Sequence, residues 1–400
     1  MRQVNHAVAI FMLGAAAILF AGCQDTYANK KQAMQAHWEK SAAAAQIPVM
    51  EDLIEQSKLD EAKKMLEKCL REDPQVPGLY LIAGRINFIE GRTEQSRQNF
   101  EKAVEIDPTL AEGWDLLGSL AVMDKDYVLA MTQYNKALEL QPNNPEYRVN
   151  IAELLIKQER TQEAMEMLQK GLELQPRDLD LLLTLAQLHQ QMGNIEQAIE
   201  IYEQAQLMHG NDPRILESSG YAYVSLHKWS KAAEKFEQLL VRSDSKTDHY
   251  NVVLRSLAMC SFNAENYDKA LSYYDQLSVI NRNDPDIWIG MAQSALGLDD
   301  ADRAASCANR ALQFKPGWHK AYVILGSALY LKADYERSLE TFNQLTADDE
   351  YAVFAWFMTG RCYRQLGQTV QADDAFKHAE QLDPNNELIT TFLKRTIQSL

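Results

Sequence analysis

The side chains able to do chemistry are plentiful in this chain, but they do not converge on a reaction. His37, His189, His209, His227, His249, His319 and His378 are spread over 400 residues, and none pairs with another at metal-ligand spacing. Asp124 and Asp126 stand two apart, as in a calcium loop, yet lack the glycine and terminal glutamate such a loop needs. There is no HExxH, GxSxG, Walker or dinucleotide fingerprint; Gly84-Arg85 and Gly360-Arg361 are isolated pairs, not phosphate cradles. Nothing calls for a metal or a cofactor, and the chain reads as a non-catalytic protein. The chemistry left is recognition: arginine for bidentate carboxylate pairing and aromatic rings for rigid apolar contact.

The elements that position those side chains follow a period of 34 residues. A small residue recurs at Ala62, Ser96, Ala130, Ala164, Ala198 and Ala232, slips by four, and resumes at Ala270, Ala304, Ser338 and Ala372. Twelve residues upstream of each stands another small residue, among them Gly84, Gly118, Ala152, Gly220, Gly326 and Gly360, with Met50 the exception. Four residues downstream comes a larger one, such as Phe100, Tyr134, Leu168, Phe236, Phe342 or Phe376; Ala308 breaks that pattern. Pro74, Pro108, Pro142, Pro176, Pro316 and Pro384 lie twelve beyond. A small residue in mid-helix lets a partner helix approach. The larger one is expected to fill the gap between hairpins, which removes about 1.5–3 kcal/mol worth of apolar surface from water. The proline ends the second helix of each unit.

The segments LYLIAGRINFIEGRTEQSRQNFEKAVEIDP and GWDLLGSLAVMDKDYVLAMTQYNKALELQP resemble the tetratricopeptide repeat (TPR), with Trp114, Leu117, Gly118, Ala130, Tyr134, Ala137 and Pro142 at that family's spacings. The resemblance implies an all-α, right-handed superhelical solenoid of about ten TPR helical hairpins. Units one to six would occupy residues 43–246 and units seven to ten residues 251–386. Residues 247–250 would be an insertion lengthening the loop between these blocks. Residues 387–400, with Leu388, Ile389, Phe392, Leu393 and Ile397, would form a C-terminal capping helix over the last hydrophobic face. The first unit is the weakest, with Gln46 and Met50 at its usual large and small positions. The sixth, seventh and ninth carry Asp244, Arg282 and Glu350 in place of the proline.

In the TPR family the first helix of each unit lines an inner groove through its second, fifth, ninth and twelfth positions. Carried onto this chain, that wall is acidic early, at Glu112, Asp115, Glu146 and Glu153, beside Leu81, Arg85 and Phe88. Its late part adds arginine and aromatics, with Ile289 among them. The expected partner site is Arg255, Phe262, Tyr330, Arg361 and Arg364, where the arginines would clamp carboxylates of a peptide. The premise is that the stack itself does not need these side chains.

The chain opens with Arg2 and an apolar stretch from Ala7 to Phe20, the length of a signal-peptide core and short for a membrane span. Leu19-Phe20-Ala21-Gly22-Cys23 resembles the bacterial lipoprotein signal, with Phe20 departing from the usual small aliphatic residue. The resemblance implies a signal peptide over 1–22, acylation of Cys23, and a tether over 23–42. Gln24 leans toward the periplasmic face of the outer membrane, with the inner membrane open; an ordinary cleaved leader and an uncleaved signal anchor remain alternatives. Cys69, Cys260, Cys307 and Cys362 form no CxxC or regular framework and read as small buried hydrophobes.

The formal net charge of −16 becomes −17 once residues 1–22, with one basic residue, are removed. That argues against nucleic acid and anionic lipid as the main ligand. The function expected is an envelope-anchored scaffold that binds protein or peptide partners, within an assembly, secretion or export machine. The alternative is a glycan- or small-ligand-binding envelope module.

Overall fold

The computed structural model describes residues 42–245 and 247–384. The leader, Cys23, the tether to residue 41 and the expected capping helix lie outside them. The described residues form 20 α-helices after one 3-10 turn, Ala44–Gln46, and contain no strand. The chain divides into two units, one up to Leu188 and one from His189. The divide falls inside a helix, not at the polar run 242–248 where the sequence register slips.

The first unit holds α1 (Ile47–Glu55), α2 (Leu59–Glu72), α3 (Pro77–Ile89), α4 (Thr93–Ile106), α5 (Ala111–Met123), α6 (Tyr127–Leu140), α7 (Pro145–Lys157), α8 (Thr161–Leu174) and most of α9 (Leu179–Gln191). The second holds α10 (Ile195–His209), α11 (Pro213–Ser225), α12 (Trp229–Leu240), α13 (Asp248–Asn263), α14 (Tyr267–Ile280), α15 (Pro285–Gly297), α16 (Ala301–Phe314), α17 (His319–Leu331), α18 (Tyr335–Asn343), α19 (Ala352–Gln365) and α20 (Thr369–Leu382). Successive helices pack on one another from α1 to α8 and again from α10 to α20, so odd and even helices make the repeated hairpins.

The spacing of small and large residues has a direct steric cause. A Cβ on Gly326 would lie 2.8–2.9 Å from three atoms of the Phe342 ring, and one on Gly220 would lie 2.9 Å from two atoms of Phe236. The ring therefore packs onto the glycine of its own hairpin. It also reaches the next hairpin, as the spacing suggests: Phe354 packs edge-on to Phe342, and Phe100 shares a cluster with Leu117 and Leu120. Where alanine replaces the glycine at position 152, the residue sixteen further on is Leu168, and both are fully buried. The two serines of the periodic small series are satisfied inside the core: Ser96 Oγ donates to the Gly84 carbonyl and Ser338 Oγ to that of Gly326, each at 2.8 Å.

Two further devices repeat. Each of the six periodic prolines stands two residues past the end of an even helix, where its missing N–H interrupts no helical hydrogen bond. Within every hairpin the turn takes a left-handed residue, at Ser57, Gly91, Lys125, Glu159, Gly193, His227, Glu265, Asp299, Ala333 and Gly367, with φ between 54° and 81°. Only three of these are glycine, the residue that adopts this conformation without a Cβ clash. The side chains of Tyr80, Trp114, Arg148 and Trp288 tie odd helices to the preceding turn. Each donates to the carbonyl six residues earlier, at 2.8–3.1 Å.

The register slip is absorbed differently from expectation. Asp248 to Tyr250 form the first turn of α13, and Thr247 caps it by accepting from the Tyr250 N–H at 3.2 Å. The connection left is 241–247. A second long connection, 344–351, follows α18, which stops after nine residues where α16 runs for fourteen.

Candidate interaction surfaces

In the first unit the odd helices are joined side by side by polar side chains. Arg85 on α3 donates to Glu51 on α1 at 3.4 Å and, in a shorter contact, to Glu112 on α5. Asn150 on α7 donates to Asp115 on α5 at 2.7 Å. Burial pushes the Asp115 carboxyl up to about 6, against the hydrogen bond from Asn150, and the charges of Glu146 and Glu112 add to the rise. Burial also raises Glu112, with Arg85 opposing it. Leu81 at a fifth position, like Ile289 in the second unit, is buried in the stack and not presented to a groove. Near the C-terminal ends of these helices lies a recess of about 250 Å³, lined by Ile54, Phe88, Ile89, Phe100, Leu116 and Leu120, with Arg85 and Ser119 at its edge. Phe88 and Ile89 are 44% and 52% exposed. Of these, Arg85 and Ser119 stand at ninth positions of their units and Ile54 and Phe88 at twelfth positions; Ile89 falls one residue past the twelfth.

In the second unit the five residues expected to form the partner site go to different neighbours. Arg255 on α13 is held by Asp284, Nη2 to Oδ2 at 2.6 Å, and Asp284 also caps α15. Phe262 lies against Tyr267, ring centroids 5.6 Å apart. Tyr330 on α17 and Arg361 on α19 do meet: the guanidinium stands 4.6 Å from the ring centroid. Arg364 turns instead to its own hairpin, 5.1 Å from the Phe376 centroid and 3.9 Å from an Asp373 oxygen. The premise that the stack does not use these side chains is therefore corrected. Arg255 and Arg364 make contacts within the stack, and Arg361 and Arg364 turn to different neighbours. Phe354 packs edge-on to Phe342 at 5.8 Å yet stays 41% exposed. Tyr221 and Met259, at the ninth positions of repeat units six and seven, are 37% and 38% exposed.

The remaining reactive groups are dispersed. His319 pairs with Asp348 at 2.5 Å, and His378 stacks on Trp356 at 4.6 Å. Among the described residues no group of three or more His, Cys, Asp and Glu could hold a metal ion. Cys69, Cys260, Cys307 and Cys362 are free and buried, and burial pushes the Cys260 thiol up to about 11. No helix of the described residues is long and apolar enough to cross a membrane.

Comparison with known proteins matches these features. Residues 51–111, 183–248 and 353–386 match the tetratricopeptide repeat, and residues 102–215 match the cytochrome c-type biogenesis protein H TPR domain. Anaphase-promoting complex subunit 3 of Schizosaccharomyces pombe is 27% identical over 182 residues, 45% of this chain and 27% of the relative. Protein bimA of Emericella nidulans is 23% identical over 181 residues, 44% and 22% of the two chains. The matched stretch thus spans about a quarter of these curated relatives. The crystal structure of the C-terminal part of a TPR repeat-containing protein from Cytophaga hutchinsonii covers 61% of this chain and 98% of its own. Its TM-score is 0.48 at 17% identity.

Proposed function

The chain belongs to the tetratricopeptide repeat family, and from that premise we propose that it is a non-catalytic scaffold holding peptide segments of partner proteins on its odd helices. One observation carries the reading. Phe88, Tyr221, Met259 and Phe354 are large, lie at repeat positions of odd helices, and keep 37–44% of their surface in water. These positions match groove positions of the family's first helices, so the apolar surface they leave in water is available to a partner. In the second unit the Arg361 guanidinium stacked over the Tyr330 ring adds a cation–π pair to the odd helices. The matches to an anaphase-promoting complex subunit and to a biogenesis-protein domain support placing the scaffold in a multiprotein assembly. Its setting in this reading is the bacterial envelope, with acylated Cys23 as the anchor on the periplasmic face of a membrane. That part rests on the Leu19–Cys23 pattern.

Photo-crosslinking residues placed at Tyr221 and Phe354, and as controls at Val128 and Val370 on even helices, test the surface. Val128 and Val370 are each 79% exposed, so access does not favour the odd helices. Crosslinks to partner proteins are expected from the first pair only; equal yield from both pairs refutes the assignment. Labelling with a fatty-acid analogue that persists after Cys23→Ala removes the anchor from the reading.

A further inference from the structure

We propose that the recess of the first unit docks a peptide segment combining one large apolar side chain with a nearby lysine or arginine. The site rests on the scaffold reading and gives it a ligand chemistry.

The apolar half of the site is the recess among Ile54, Phe88, Ile89, Leu116 and Leu120. A dry apolar cavity of about 150 Å³ holds benzene, so about 250 Å³ accepts a leucine, phenylalanine or tryptophan side chain. Phe88 and Ile89 are adjacent, half-exposed and at the mouth of the same recess, which leaves apolar surface in water until something covers it. The charged half follows from the neighbours of Arg85. Its single positive charge is shared between Glu51 and Glu112, so the trio keeps a net negative charge. Glu146 acts on both Glu112 and Asp115 in the same sense. An ammonium or guanidinium placed there relieves repulsion that the fold leaves in place; a carboxylate adds to it. A second copy of this chain, with its net charge of −16, is a poor complement. The occupant that satisfies both halves is a basic peptide with an apolar anchor.

The full chain, purified in detergent, is panned against random twelve-residue peptides displayed on phage, and enriched peptides are titrated by fluorescence anisotropy. Enriched peptides are expected to carry a large apolar residue within four positions of Lys or Arg. Ile89→Asp, at a half-exposed position, should weaken them at least about tenfold. Glu51→Gln with Glu112→Gln should weaken them about threefold to tenfold and flatten the salt dependence. Val370→Asp, on an even helix of the second unit and well exposed, should leave them unchanged, and circular dichroism of each variant confirms the helices. Enrichment of acidic peptides overturns the proposal. Binding lost with Arg361→Glu and kept with Ile89→Asp overturns it too, while the scaffold reading stands. Failure to enrich any peptide with the full chain and also with the chain lacking residues 24–41 removes both. Binding that appears only after residues 24–41 are deleted assigns the recess to the chain's own Trp38 and Lys40 segment and overturns a partner in trans.

Discussion

Gly326→Ala is expected to change the sign of its effect according to what stands at position 342. Alanine favours a helix interior over glycine by about 1 kcal/mol, so the substitution would stabilise an open helix. Here the new Cβ lies 2.8–2.9 Å from three atoms of the Phe342 ring. The ring has no exposed surface, and Phe354 packs edge-on to it, so it cannot swing aside freely. Forcing a methyl into such a site costs about 1–3 kcal/mol. The two terms leave Gly326→Ala neutral to about 2 kcal/mol destabilising in the parent. With Phe342→Leu in place the pair becomes the one that the chain already uses at Ala152 and Leu168. The clash then disappears, the helix term remains, and Gly326→Ala should stabilise by up to about 1 kcal/mol. Urea unfolding of the four proteins, followed by circular dichroism at constant m, gives the coupling energy, expected at about 1–3 kcal/mol. A Gly326→Ala that stabilises the parent, or a coupling below about 0.5 kcal/mol, refutes the steric account of the period.

Four further outcomes are expected. Ala333→Gly should raise stability by about 1 kcal/mol, because Ala333 sits at φ 58° where a Cβ is strained; a loss in the urea midpoint contradicts this. Asp115 keeps its proton up to about 6 when folded and releases it near 3.8 when unfolded, so stability falls as pH rises through that window and stays lower above it. Asp115→Asn should flatten that slope and gain at most about 3 kcal/mol at neutral pH, as read from urea midpoints across pH. Limited proteolysis should cut 241–247 and 344–351 before the three- or four-residue turns between the other hairpins, and equal rates at all of them would count against the reading. Cys260 is fully buried with its thiol near 11, so iodoacetamide at pH 8 should modify it only on unfolding; fast labelling of the native protein excludes that environment.

Side-chain size and proline placement are legible in the sequence because the fold reads them through steric contact. Gly326 and Phe342, or Ala152 and Leu168, must fit together sixteen residues apart in one hairpin, and that fit forces the residue types. Devices carried by the backbone leave a fainter trace. The left-handed turn residue recurs in every hairpin, yet Lys125, Glu159 and Ala333 occupy it as well as Gly91, so composition at that position does not announce it. The slip near residue 246 looked like a loop because the run is polar; Asp248 to Tyr250 join a helix because Thr247 supplies the cap.

The candidate site was least legible, for an electrostatic reason. A groove position says where a side chain starts, while its charge is settled by what the next hairpin offers. Arg255 meets Asp284, 29 residues on; Arg97 meets Asp124 and Arg85 meets Glu112, each 27 on; Arg303 meets Asp275, 28 back. Opposite charges separated by slightly less than one repeat are the sequence signal of these pairs. That spacing gives Arg255 a carboxylate within the stack, at Asp284. Around Arg85 the same spacing leaves two carboxylates for one guanidinium beside an open apolar recess. The imbalance, more than the presence of any one charge, is what points this surface toward a basic partner.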